Sequence, residues 1–308
     1  MKKRILLLVP TLILLTGCSK SKAPSFEKYS NVVTFDAFKA GIEEKKFADF
    51  FAFTTGCKGK VYYGVEYKSS SVIGDVSISS EEGTNEREIK FGYDMANNRS
   101  SINEKGETSY TNTGAEVDEQ KVSKTTVSTQ YQYNDKLESF IYIDVKEKTY
   151  KKYTNKNVTD SILYAIDDEF VGFQGLYKQY ETASEDIKSR YAFYIDGGVF
   201  TMTFSTTSET EVVEGESTEV MAKISAKSDY LYQLEIDDGK LHFKSKCVSL
   251  TDETYLKNHL THIKDEVDSL NTTTYCSLEI GPDSSVIKEI DISSYASLDK
   301  DPDGGLLS

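Results

Sequence analysis

Histidine and clustered acidic residues are the first side chains of this 308-residue chain to test for chemistry. His259, His262 and Glu266 follow one another at helical spacing, so on a helix the three side chains share a face. Such a face can contact a metal ion, but helical zinc motifs supply further ligands, which are not apparent here. We therefore predict no metal site and interpret these residues, like His242, as solvent-facing.

Motifs for nucleotide binding and hydrolysis are absent from the sequence. It contains no P-loop, no Rossmann glycine pattern, no Gly-x-Ser-x-Gly elbow and no His-Glu-x-x-His. Carboxylates alone can catalyse hydrolysis, but no particular acidic pair stands out among the many present. We predict a protein that is not an enzyme, has no catalytic residues and uses no cofactor. An envelope hydrolase without a recognised motif is the weaker alternative.

The N-terminal residues have the pattern of a secretory signal. Lys2, Lys3 and Arg4 form a short positive region, and an apolar run from Ile5 to Leu15 follows. The run is shorter than the ~20 apolar residues of a helix that spans a bilayer. The layout is typical of a cleaved signal peptide.

The signal ends in Leu15-Thr16-Gly17-Cys18, which resembles the lipobox of bacterial lipoproteins. The resemblance implies that residues 1–17 are removed and that Cys18 carries a diacylglyceryl group. It implies an extracytoplasmic protein attached to a membrane through lipid on Cys18. We predict that the polar residues 18–30 form a tether. The alternative is an ordinary cleaved signal with a chance cysteine.

Three cysteines remain beyond Cys18. Cys247 and Cys276 both fall on the apolar register of predicted strands, and an exported protein can form disulfides. We predict that these two form the bridge and that Cys57 is left over, because the number is odd. The alternative is that all three are reduced thiols buried as small hydrophobic side chains.

The composition indicates an acidic, strand-rich protein. A net charge of −14 repels nucleic acid, so we exclude a nucleic-acid partner. The chain has 21 Tyr, 15 Phe and no Trp, and aromatic residues of this kind favour strands. Only 4 Pro are present, as a sheet of long strands requires.

Period-two alternation dominates the chain. Between Lys60 and Lys68, apolar residues at odd positions predict a strand with one buried face. Similar stretches recur, and turn signals separate them. We predict turns at Glu82-Gly83, Lys105-Gly106, Asp196-Gly197-Gly198 and Asp237-Asp238-Gly239.

Helical periodicity interrupts the strands in three places. Thr34 can cap a first helix that carries Phe35, Phe38 and Ile42 and ends at Thr55-Gly56. Asp160 can cap a second helix, which Gly172 divides or leaves whole. A third is predicted to begin after Thr251, with an apolar stripe at helical spacing: Leu256, Leu260, Ile263, Val267 and Leu270.

These elements predict an α+β fold in one domain over residues 31–296, followed by a flexible acidic tail, 297–308. A large curved antiparallel sheet of about ten or eleven strands carries about three amphipathic helices on one face. With the lipobox, this order of elements resembles the LolA and LppX-like lipoprotein carriers. The resemblance implies an apolar cavity between sheet and helices that holds acyl chains.

Aromatic residues on the second helix and on the strands are candidates to line such a cavity. They are Phe170, Phe173, Tyr177, Tyr191, Phe193, Tyr230 and Tyr232. The alternative is that they fill the core. The sequence therefore predicts a lipoprotein that binds or carries a hydrophobic small molecule. The second hypothesis is a surface-exposed binding or structural lipoprotein that acts through its outer face, and its protein partner is unknown.

Overall fold

The structure is a computed structural model that describes most of the chain from Ala23 to Leu298. The described ranges are residues 23–51, 56–94, 99–114, 127–133, 140–144, 147–153, 158–213, 220–256, 266–283, 291 and 293–298. Within them the strands form one sheet of thirteen strands, in place of the ten or eleven expected. Its order is β1-β8-β9-β10-β11-β12-β2-β3-β4-β5-β6-β7-β13.

The chain builds this sheet from two antiparallel meanders that meet where β12 pairs with β2. The first meander consists of β2 (Cys57–Ile73), β3 (Val76–Asp94), β4 (Arg99–Gly114), β5 (Val127–Tyr133), β6 (Phe140–Asp144) and β7 (Thr149–Tyr153). The second consists of β8 (Tyr191–Asp196), β9 (Val199–Val213), β10 (Val220–Asp237), β11 (Lys240–Tyr255) and β12 (Glu266–Pro282). Two short strands, β1 (Val32–Val33) and β13 (Ala296–Ser297), lie at the two edges, and of the strands that the structure describes only β13 pairs in parallel, with β7.

Helix α1 begins and ends at capping residues. The predicted cap at Thr34 is confirmed, since its hydroxyl accepts a hydrogen bond of 3.3 Å from the backbone N–H of Ala37. Helix α1 (Phe35–Lys45) ends earlier than predicted, at the left-handed Lys46, and a 3₁₀ helix (Phe47–Phe51) follows. The second helix is undivided and starts before Asp160. Its range is α2 (Val158–Thr182), and the short α3 (Glu185–Lys188) follows it.

The prediction of a third helix is wrong. Residues Thr251–Tyr255 end strand β11, and Val267 and Leu270 lie in β12. Leu260 and Ile263 lie outside the described residues. The two strands pair with each other here, and β10 and β2 pair with their outer edges, so ladder hydrogen bonds on both sides override the local helical pattern.

The core lies between the helices and one end of the sheet. A row of directly opposed apolar side chains crosses six neighbouring strands on the helix-facing side: Phe200, Leu234, Phe243, Leu278, Val61 and Ile89. Further along the strands the same face becomes polar and half-buried, with Thr206, Ser228, Ser249, Thr272 and Tyr67 in one row. The helices therefore cover only part of the sheet.

Part of the predicted tether lies against the opposite face of the sheet. Gln233, which is 2% exposed, accepts a hydrogen bond from the backbone N–H of Glu27 and donates one to its carbonyl, each at 2.8 Å. The same amide group also donates to the Thr201 hydroxyl. Because a buried amide without partners is costly, these bonds fix the chain at Glu27 rather than leaving residues 23–30 free.

Candidate functional site

An apolar groove lies between α1 and α2, and these helices together with the 3₁₀ helix supply the residues that line it. Its volume is about 470 Å³. Phe47, Phe170 and Phe173 form its floor, and all three are buried. Helical spacing places Phe170, Phe173 and Tyr177 on one face of α2, so about two turns of helix supply most of the aromatic surface.

Charged side chains form the rim of the groove. Lys39, Lys46 and Lys178 contribute positive charge, and Glu43, Asp49 and Glu181 contribute negative charge. Lys39 and Glu181 form an ion pair that joins α1 to α2 across one end, and this hydrogen bond raises the pKa of the Lys39 ammonium. Burial raises the pKa of the Tyr177 phenol, so this residue lines the groove as a neutral group.

The structure divides the seven aromatic residues predicted to line a cavity. Phe170, Phe173 and Tyr177 line the groove. Tyr191, Phe193, Tyr230 and Tyr232 lie on the sheet beneath α2 and belong to the core, where ring centroids of Phe173 and Tyr232 are 5.6 Å apart. The two sets are thus in contact, but the four sheet residues do not line the groove.

Sequence reasoning missed the residues that α1 and the 3₁₀ helix supply. Ile42 was placed on the apolar stripe of the first helix but was not recognised as a lining residue. Phe47 and Ala48 lie just after the left-handed Lys46, where the chain leaves the α-helical path. Helical periodicity gives no signal there, because a 3₁₀ segment has a different repeat.

The predicted disulfide between Cys247 and Cys276 is not present, and neither these two cysteines nor Cys57 is part of a disulfide. The register explains this arrangement. Cys247 is opposite Thr274, and Cys276 is opposite Ser245, so the two cysteines are diagonal neighbours on adjacent strands. Diagonal pairs have Cα atoms about 7–8 Å apart, which is beyond the usual span of a disulfide.

We expect slow alkylation of the buried thiols. Burial raises the pKa of Cys57 to about 11 and also raises that of Cys247. Because the thiolate is the reactive form and each pKa unit changes its fraction tenfold, Cys57 should react with iodoacetamide at pH 8 at least ~100-fold more slowly in the native protein than in denaturant. Mass spectrometry of tryptic peptides gives both rates.

The same experiment tests the disulfide. In denaturant without reductant, a protein without this disulfide should be alkylated at Cys57, Cys247 and Cys276 alike. Labelling of Cys57 alone would show that oxidation joins the other two after a shift of register or side chains. Equal rates for native and denatured Cys57 would contradict its burial.

The prediction of solvent-facing histidine and glutamate side chains can be compared with the structure at two residues, His242 and Glu266. His242 is half-buried on β11, and its Nδ1 lies 4.0 Å from a carboxylate oxygen of Glu279. Glu266 begins β12, which removes the helical face on which we placed it. His259 and His262 lie outside the described residues. Among the residues in the ranges given above, no three His, Cys, Asp or Glu side chains are grouped in a way that could hold a metal ion.

None of the helices in the described part of the chain is long and apolar enough to cross a membrane. No family model matches the sequence, and no curated protein matches it.

Two solved structures show weak similarity to the fold. The first, described as lipid–protein interactions in lipovitellin, has a TM-score of 0.29 and 10% identity. It matches 78% of this chain, which spans about a quarter of the lipovitellin chain (27%). The second, OpdQ of Pseudomonas aeruginosa, has a TM-score of 0.16 and 9% identity, with 78% and 74% of the two chains covered. TM-scores this low support no argument about function.

Proposed function

We propose that this protein is an exported, non-enzymatic lipoprotein that is anchored by lipid on Cys18 and binds a hydrophobic, lipid-like molecule in the groove between α1 and α2. The observation that carries the proposal is the groove itself. The buried side chains of Phe47, Phe170 and Phe173 form the apolar floor of a groove between two helices, in which burial of an apolar ligand is favourable.

The size and the chemistry of the groove agree with this ligand class. Its volume of about 470 Å³ lies within the ~300–1,000 Å³ usual for small-molecule sites. Lys39, Lys46 and Lys178 on the rim can meet an acidic head group while the chain of the ligand contacts the aromatic floor. The similarity in element order to the LolA and LppX-like carriers suggests the same ligand class.

A second candidate function is supported by the sheet beyond the helices. There the strands continue with a polar, half-buried face, as the row from Thr206 to Tyr67 shows. The four sheet aromatics, among them Tyr230 and Tyr232, are packed in the core. A lipoprotein with a filled core that binds a partner through its outer surface would have these features.

Filling the groove should weaken ligand binding without unfolding the protein. Gln174 is half-buried and lines the groove, so the indole of a Gln174→Trp variant would occupy the ligand volume. With dansyl-undecanoic acid as the fluorescent probe, we expect affinity to fall at least ~10-fold, or about 1.4 kcal/mol. The chain is produced from Ser19 onward, so that its own lipid cannot compete.

The matched control is Val171→Trp on the same helix. Val171 is 50% exposed and does not line the groove. This variant should bind the probe as the unmodified protein does, and thermal unfolding should be similar for all three proteins. Equal weakening by both tryptophans, or unchanged affinity of Gln174→Trp, would show that the probe binds elsewhere.

A further inference from the structure

Strand β9 has a long edge along which no strand of the described residues pairs. On one side β9 pairs with β10 along almost its whole length, from Phe200 to Val213. On the other side β8 pairs only with the segment Val199–Phe204. The last bond on that side is donated by the Ser205 N–H to the Arg190 carbonyl at 3.2 Å. Beyond Ser205, no strand in the described part of the chain pairs with this edge.

The backbone groups along this edge are oriented for pairing. In an antiparallel strand the N–H and C=O of one residue point to the same side, and the side alternates from residue to residue. The backbone N–H of Ser205 points away from β10. The backbone N–H and C=O groups of Thr207, Glu209 and Glu211 therefore point the same way. Their donors and acceptors therefore face the open edge, while those of Ser208 and Thr210 bond to β10.

The side chains along the edge make it acidic. Residues 207–213 are all exposed. Glu209 and Glu211 project to the face away from the helices, beside a depression of about 400 Å³ that Lys223, Ser225 and Thr254 also line. Of the described residues that line this depression, Lys223 is the one cation, and it forms an ion pair of 3.4 Å with Glu211.

We propose that the edge of β9 from Thr207 to Val213 is a docking site for an extended polypeptide segment with basic residues at alternate positions. The segment adds a strand to the sheet, so that main-chain hydrogen bonds to Thr207, Glu209 and Glu211 provide affinity. Its alternate Lys or Arg side chains meet the Glu209 and Glu211 carboxylates. The same edge of a second copy is excluded as partner, because the two pairs of glutamates would then oppose each other.

The test uses the chain from Ser19 onward and synthetic peptides. The probe alternates lysine with threonine and valine, and a second peptide carries glutamate at each lysine position. We expect the lysine peptide to bind at least ~10-fold more tightly than the glutamate peptide. Hydrogen exchange should show new protection at the amides of Thr207, Glu209 and Glu211. Equal affinity of the two peptides, or no binding of either, would overturn the proposal.

Two variants separate strand addition from simple charge attraction. Glu209→Pro removes a donor that points to the open edge and spares the bonds to β10, since proline is tolerated at such edge positions. It should weaken the lysine peptide at least ~10-fold, well beyond the loss in a Glu209→Gln variant. Reversing both charges, as Glu209→Lys with Glu211→Lys, should transfer the preference to the glutamate peptide. Peptide binding without amide protection would contradict strand addition.

Discussion

Replacing Phe38 with alanine should lower the free energy of unfolding by about 3–5 kcal/mol. Phe38 is 0% exposed and is the residue through which α1 enters the core. Its ring centroid lies 5.0 Å from that of Phe193 and 5.8 Å from that of Phe200. The alanine variant therefore loses both the transfer free energy of a ring and the contacts around the resulting cavity.

Urea unfolding followed by circular dichroism measures this effect. The matched control is Val32→Ala in β1, because Val32 lies near α1 in the sequence but is 68% exposed. Its free energy of unfolding should change by no more than ~0.5 kcal/mol. A loss of less than about 1 kcal/mol for Phe38→Ala would mean that α1 does not pack on β8 and β9 as described.

The second large effect is expected at Gly59 in β2. A Cβ atom there would lie 2.3 Å from the carbonyl oxygen of Glu279 and 2.5 Å from Cζ of Phe91. Glu279 and Phe91 lie on β12 and β3, the two strands that pair with β2. The Glu279 carbonyl cannot move away without disturbing the hydrogen bonds between β12 and β2. Gly59→Val should therefore cost about 3 kcal/mol or more.

The same substitution at Gly106 is the control for Gly59→Val. In β4, a Cβ on Gly106 would find its nearest neighbour, the carbonyl oxygen of Glu86, at 3.5 Å. Valine fits there and favours a strand, so Gly106→Val should leave stability unchanged within ~0.5 kcal/mol or raise it slightly. Equal destabilisation by the two valines would contradict the register of β12, β2 and β3.

The alternation of apolar residues predicted the sheet correctly because it reports side-chain direction, which the sheet itself fixes. Val61 is buried and faces the helices, as its register in the predicted strand requires. The turns at Gly197-Gly198 and Asp238-Gly239 were also predictable. All four residues have positive φ, which glycine and aspartate tolerate best.

The turns predicted at Glu82-Gly83 and Lys105-Gly106 are wrong, since both lie inside long strands. Gly83 is directly opposite Tyr67, and a Cβ on Gly83 would lie 2.7 Å from the Tyr67 ring. The glycine is there to make room for an aromatic side chain on the next strand. One strand read alone cannot distinguish this role from that of a turn.

Only the α2 wall of the groove could be predicted from the sequence. Phe170, Phe173 and Tyr177 share one face of α2, and their spacing gives that face directly. The opposite wall depends on where α1 stops. Lys46 adopts φ 53 and redirects the chain so that Phe47 enters the core. The position of Phe47 follows from tertiary packing, which local periodicity does not encode.

Native mass spectrometry of the chain from Ser19 onward, purified from cells and then extracted with organic solvent, tests the central claim most directly. We predict a discrete added mass that the extraction removes and identifies as a lipid-like molecule, and that is reduced or missing in the Gln174→Trp variant. A protein mass without any addition, unchanged after incubation with membrane lipids, would contradict ligand binding in the groove.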